Sequence, residues 1–240
     1  MSEPLHLFCV PYAGGSAVAT YSRWGRHMPS AIKLIPLELP GRGRRTPEPL
    51  KDAMDALVAD LLDTVMPVAR SGAHYAFYGH SMGTSLVYEL VRALAYAGMP
   101  PPRTLFLSGR NPPHKPYSSR HLHLLSDTMF LEEIRKLGGT PDEFFHMQDL
   151  VRAMLPIVRN DYRLIEMYQP DEAVHVTSAG IVFLCSDADP LLTRDSVLEW
   201  QRYSTGMFSI HPFSGGHFFI NDHYPMICTL IAATLEETVS

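Results

Sequence analysis

Short apolar runs that alternate with helix-period stripes predict an α/β protein, with a mainly parallel sheet flanked by helices on both faces. The runs themselves do not alternate apolar with polar residues, as expected of strands buried on two faces rather than one. A chain of 240 residues, 46 % of them hydrophobic, is long enough for one domain with a sizeable core. The sequence therefore predicts a single domain over 1–240, broken by a helical insertion at about 115–172.

Each element has its own warrant. Leu5–Val10 is a buried-strand run, and Ile32–Leu39 is a second, stopped by Pro40-Gly41. Met54, Leu57, Val58, Leu61, Leu62 and Val65 fall at i, i+3, i+4, i+7 and define a helix. Tyr75–Tyr78 reads as a strand, followed by a striped helix from about Met82 carrying Leu86, Leu90 and Leu94. Thr104–Leu107, Ile181–Cys185 and Phe208–His211 complete the strands. Ile227, Leu230, Ile231 and Leu235 mark a C-terminal helix with Pro225 in its first turn. Between Thr104–Leu107 and Ile181–Cys185 the rhythm changes to helical stripes such as Leu150, Val151, Met154, Leu155 and Val158. An insertion there would sit over the sheet edge where α/β folds place ligands.

Composition narrows the function. A formal charge of −5 speaks against a nucleic-acid binder, which usually shows a basic domain. No run of about 18 apolar residues is present, and Leu5–Val10 is too short for a signal sequence, so a cytoplasmic protein is expected. Cys9, Cys185 and Cys228 each sit in an apolar run and read as free thiols.

The chemistry is carried by Gly79-His80-Ser81-Met82-Gly83, a GxSxG motif entered by a strand and left by a helix. A serine displayed on that tight, strained turn needs neighbours without side chains, which Gly79 and Gly83 supply. A serine nucleophile also needs a base, and the base an orienting acid. Asp187 and Asp189 follow the strand Ile181–Cys185, and His217 lies in the glycine loop after the last strand. In a parallel sheet all three strand ends open on one edge. Asp189, fixed by Pro190, is favoured over Asp187 as the acid. The oxyanion hole is expected from two backbone N–H groups. One is that of Met82; the other lies in Pro11-Tyr12-Ala13-Gly14-Gly15-Ser16, where Ala13 is favoured over Tyr12. This chemistry requires no metal and no cofactor.

In order along the chain stand Pro11–Ser16 (PYAGGS), Pro40–Arg45 (PGRGRR) followed by Glu48-Pro49, GHSMG, Ser186–Pro190 (SDADP) and Gly215–Phe218 (GGHF). This pattern resembles the type II thioesterases, free-standing α/β-hydrolases that serve modular polyketide and non-ribosomal peptide synthetases. The medium-chain S-acyl thioesterases of animal fatty-acid synthesis share it. The resemblance covers residues about 5–237. It implies an α/β-hydrolase fold and a Ser81–Asp189–His217 triad. It also implies an oxyanion hole of Ala13 and Met82, and a mobile helical lid at about 115–172. The implied substrate is an acyl group on the 4′-phosphopantetheine arm of an acyl or peptidyl carrier protein domain, and the implied task is the removal of misloaded or stalled groups. In the oxyanion loop the family often has His where this chain has Tyr12. The alternatives are a carboxylesterase or lipase using the same triad, an offloading or cyclising thioesterase, and a non-catalytic hydrolase-fold binding protein.

Two clusters stand outside this chemistry. Arg42, Arg44 and Arg45 could meet a phosphate or an acidic carrier, or could pair locally with Glu38 and Glu48. His114, His121 and His123, near Lys115 and Arg120, read as the solvated base of the lid rather than a metal site. Met129, Met147, Met154 and Met167, with several aromatics, are candidates to line an acyl channel.

Overall fold

The computed structural model describes residues 4–115, 120–171 and 173–237. Residues 116–119 and 172, at the two margins of the expected insertion, lie outside the described residues.

The chain runs β1 (Leu5–Val10), α1 (Ala17–Tyr21), β2 (Ile32–Pro36), α2 (Met54–Ser71), β3 (Tyr75–His80), α3 (Met82–Tyr96) and β4 (Thr104–Ser108). It continues through α4 (Asp127–Leu137), α5 (Gln148–Met167), β5 (Gly180–Ser186), α6 (Arg194–Leu198), β6 (Phe208–Phe213) and α7 (Ile220–Glu237). The strands form one sheet in the order β2-β1-β3-β4-β5-β6. Every neighbouring pair is parallel, so all strands end at the same edge. The registers Val10 with Gly79, His80 with Ser108 and Ser186 with Phe213 bring the loops that follow β1, β3, β4, β5 and β6 together there.

Both sheet faces are covered, which explains the unbroken apolar strands. Phe8, Val10, Phe77, Leu105, Leu107 and Phe183 point to one core with Leu57, Leu61 and Val65 of α2 and Leu86, Leu90 and Leu94 of α3. Leu7, Cys9, Ala76, Tyr78, Phe106 and Leu184 point to the other, with Tyr21, Trp24 and Ile227, Cys228 and Ile231 of α7.

Apart from shifts of one or two residues at strand ends, two boundaries and two short helices differ from expectation. β2 stops at Pro36 rather than Leu39, because β1 turns away at Pro11 and takes the pairing partner with it. Leu37 and Leu39 still bury their side chains in the core. α7 starts at Ile220, so Pro225 lies in its second turn, where the missing N–H leaves the Asn221 carbonyl without its helical donor. α1 and α6, five residues each, are too short to show a period in sequence; α1 is capped by Ser16 and α6 by a Thr193–Ser196 capping box.

α4 and α5 fill the interval between β4 and β5. α4 is capped by the Ser126 side chain, which accepts from Met129 N–H, and ends at Gly138. Arg159 of α5 ties the segment together by donating to the carbonyls of His123 (2.7 Å) and Leu125 (2.8 Å) and to Asp127 (2.7 Å). Its guanidinium also lies 4.4 Å from the ring centre of fully buried Phe130.

Candidate active site

The turn from β3 into α3 is sterically locked. Ser81 has φ 54° and ψ −116°, a backbone state that costs a non-glycine residue of order 1–3 kcal/mol and persists only when its surroundings enforce it. A Cβ on Gly79 would fall 2.6 Å from the Gly83 carbonyl oxygen, and one on Gly83 would fall 2.4 Å from that of Val10. Ser81 N–H donates to the Ser108 carbonyl at 2.9 Å. The Thr84 hydroxyl donates to the carbonyls of Gly79 (2.9 Å) and Ser108 (2.7 Å). The end of β4 thus grips the elbow from below, and Ser81 stands at the N-terminus of α3, where first-turn N–H groups lack helical acceptors.

Asp189 and His217 meet at this edge. His217 Nδ1 lies 2.8 Å from Asp189 Oδ2, and both side chains are fully buried. Asp189 Oδ1 accepts from Leu191 N–H at 3.0 Å, so each oxygen is committed. Asp187, the alternative acid, is exposed. His217 Nε2 is buried and has no hydrogen-bond partner among the described residues. The ring sits beside the elbow: a Cβ on Gly109, just after β4, would lie 3.0 Å from His217 Cε1. His80, 4.9 Å away ring to ring, is held well below the usual histidine range, first by burial and then by His217 itself. It therefore stays neutral and adds no cation beside the His217–Asp189 pair.

The loop after β1 faces this pair. Gly15 N–H donates to the Tyr12 carbonyl at 2.9 Å, closing a turn, and Gly14 N–H donates to Asp161 Oδ2 at 2.7 Å. Gly14 and Gly15 N–H are thus occupied, and neither of the two donors the sequence offered, Ala13 and Tyr12 N–H, is used in these two bonds. Tyr12 contributes more than backbone: its ring packs edge-on against Phe218 at 4.9 Å and against His80 at 6.0 Å. Beside it opens a cavity of about 150 Å³ lined by Tyr12, Ala13, Gly14 and Phe218 on the sheet side and by residues of the α4–α5 segment on the other. The latter include Phe130, Ile134, Phe144, Met154, Leu155, Val158 and Tyr162, and no lining residue is charged. Of the methionines singled out from sequence, Met154 lines the cavity, whereas Met129, Met147 and Met167 are exposed.

The arginine loop is resolved by partners the sequence could not supply. Arg42 is buried against Asp161, with Nη2 2.8 Å from Oδ1 and Nη1 on Oδ2. Arg45 grips Asp60 (2.7 Å) and Glu48 (2.8 Å), which raises its own pKa and lowers that of Glu48. The Glu38 carboxylate pairs with neither guanidinium, although its backbone carbonyl accepts from Arg45 Nη1 at 3.0 Å; the carboxylate accepts from Ser16 Oγ (2.6 Å) and Ala17 N–H (2.8 Å) at the start of α1. Arg44 is exposed.

The histidines also differ from expectation. His114 binds Glu199 and the Tyr203 hydroxyl, each at 2.7 Å. His123 is largely buried, not solvated, and its ring bonds the fully buried Glu166. Ligand atoms of His121, His123 and Glu166 lie within 4.8 Å of one another, the one such metal-capable group found among the described residues. Glu166 is already engaged by Leu122 N–H (2.7 Å) and His123 N–H (3.1 Å), which close this turn. Asp161 and Glu166 escaped the sequence reading. For Asp161 a signal existed: it interrupts the apolar stripe Met154, Val158, Ile165 on one face of α5.

A parallel sheet with a strained serine elbow and a histidine–aspartate pair at the same edge defines the α/β-hydrolase fold. The thioesterase domain model matches residues 5–235, and the chain belongs to the thioesterase family of acyl-thioester hydrolases. It is 34 % identical to thioesterase PikA5 of Streptomyces venezuelae over 231 residues, covering 96 % of this chain and 81 % of that one. The crystal structure of ClbQ from the colibactin NRPS/PKS pathway superposes with a TM-score of 0.93 at 37 % identity, over 98 % of each chain. The type II thioesterase BorB from the borrelidin biosynthetic cluster gives 0.85 at 33 % identity, over 98 % of this chain and 94 % of that one. No described helix is long and apolar enough to cross a membrane.

Proposed function

We propose that this thioesterase hydrolyses short acyl groups from the 4′-phosphopantetheine arms of carrier domains, using Ser81, His217 and Asp189. It would act in the cytoplasm, as an editing enzyme of polyketide or non-ribosomal peptide synthesis. The observation that carries the reading is the buried His217–Asp189 pair, its Nε2 uncommitted among the described residues and its ring 4.9 Å from that of His80, the residue before the strained Ser81. His217 Nε2 takes the Ser81 hydroxyl proton as Oγ attacks the thioester carbonyl carbon. The oxyanion is held by the N–H groups of Ala13 and Met82. The carbon–sulfur bond breaks, and the departing sulfur takes the proton from His217. Water then gives a proton to Nε2, attacks the acyl carbon, and Ser81 oxygen leaves with that proton, freeing the acid. Asp189 fixes the tautomer with the proton on Nδ1 and steadies the imidazolium.

The cavity supports a small, uncharged acyl group, since about 150 Å³ of apolar space accommodates a molecule the size of benzene. α4 and α5 form its outer wall and serve as the lid of a single hydrolase domain, moving to admit a carrier-bound chain. The lineage of the relatives supports the carrier substrate. Burial of Arg42 removes it as a phosphate ligand and leaves Arg44 as the exposed cation of that loop.

Ser81→Ala is the test. It should fold normally, fail to react with a fluorophosphonate probe, and lose on the order of 10⁴–10⁶ in turnover. A variant retaining more than a few per cent of turnover would remove Ser81 from this role.

A further inference from the structure

We infer that Asp161 of α5 is a positioning residue for the oxyanion hole, so that the hole is formed only while α5 is seated on the sheet. The inference rests on the proposed roles of Ser81 and Ala13.

The Ala13 N–H belongs to the same rigid peptide plane as the Tyr12 carbonyl, and the two point in opposite directions. Gly15 N–H holds that carbonyl at 2.9 Å. The plane after it carries Gly14 N–H, which Asp161 Oδ2 holds at 2.7 Å. Two adjacent planes are thus pinned, and between them the backbone angles of Ala13 are set. The first clamp is internal to the loop. The second comes from 147 residues away, on a helix that also walls the acyl cavity. Val158, one turn earlier on the same face of α5, presses on the loop: a Cβ on Gly14 would fall 2.7 Å from its Cγ2.

Stability alone is a poor account of this arrangement. Asp161 is fully buried and Arg42 is 4 % exposed. Replacing a buried ion pair by apolar residues is often neutral or stabilising. Arg42 Nε is also buried without a hydrogen-bond partner among the described residues, an added cost. The pair does, however, fix the Asp161 carboxylate in place, and its bond to Gly14 N–H is short, at 2.7 Å. When α5 lifts to admit substrate, the acceptor leaves Gly14 and the loop relaxes. When α5 closes over the acyl group, the hole reforms.

The experiment compares two charge-free double variants that differ in one acceptor. Arg42→Met/Asp161→Asn keeps an amide oxygen for Gly14 N–H, whereas Arg42→Met/Asp161→Leu keeps none. With a soluble N-acetylcysteamine thioester as substrate, kcat of the leucine variant should fall about ten- to a hundred-fold below that of the asparagine variant. KM and Tm should be similar in the two. Loss of a whole oxyanion donor costs about 10²–10³, and a loosened one costs less. Equal kcat values, or kcat that merely follows Tm, would overturn the inference. If neither double variant folds, Asp161→Glu decides, because it preserves the charge pair while moving the acceptor by about one bond length, ~1.5 Å. It should lose at least about tenfold in kcat with Tm retained, since a misplacement near 1 Å can cost about 10². Wild-type kcat there would overturn the inference. Ser81→Ala, measured alongside, separates the two levels. If it is active, the proposed site falls and this inference with it; if it is inactive while the double variants match, the role of Asp161 alone is wrong.

Discussion

Asp189→Asn inverts one hydrogen bond, and the structure dictates which way the new amide turns. In the native enzyme Asp189 Oδ1 accepts from Leu191 N–H at 3.0 Å, and Oδ2 faces His217 Nδ1 at 2.8 Å. An asparagine must put its carbonyl oxygen where Leu191 N–H needs an acceptor. Its NH₂ then faces Nδ1 and donates to it, so the ring proton shifts to Nε2. That nitrogen can no longer accept a proton from Ser81. Analogous tautomer inversion in serine proteases lowers kcat by about 10⁴, or about 5 kcal/mol at 1.36 kcal/mol per decade. Asp187 is exposed two residues away, and Asp187→Asn should keep kcat within about twofold, as surface changes usually do. The assay is steady-state thiol release from a soluble thioester, with thermal melts to confirm folding. The reasoning is refuted if Asp189→Asn keeps more than about 1 % of kcat with the fold intact. A reversed ranking of the two variants would refute it as well.

Two further outcomes follow from the same geometry. Leu155→Trp, placed in the wall of the roughly 150 Å³ cavity, should raise KM for a hexanoyl thioester at least about tenfold while sparing the acetyl one; equal effects on both chains, measured side by side, would put the acyl group elsewhere. His80, kept neutral by burial, gives a pH signature: below about 6.5 the unfolded chain binds a proton here that the folded chain refuses. Stability should therefore fall as pH drops below that value, by up to about 1.4 kcal/mol per unit from this group, and level off below the folded pKa. In urea melts at pH 7 and 5.5, His80→Gln should show a shallower decline than wild type, and an identical decline would exclude His80 as its source.

Strand positions, the serine elbow and the order of serine, acid and histidine were legible in the sequence because each is local. A strand is a run of five or six apolar residues; the elbow is two glycines flanking a serine; and a parallel sheet delivers all its exits to one edge. Local signals fade where partners are remote. Pro190 favours Asp189 over Asp187 in the sequence turn, but only the fold of the β5 and β6 loops turns one carboxylate inward to His217 and the other to water. Arg42 could be read as a phosphate ligand or as the partner of a nearby carboxylate, and α5 instead brings Asp161 to it from 119 residues away. His123 looked solvated until Glu166 reached it from the C-terminal end of α5. A stripe on a helix states which face is buried but not what it is buried against. The pairing of charges across long separations is settled by packing, because a carboxylate or guanidinium leaves water only where another segment supplies its counter-charge.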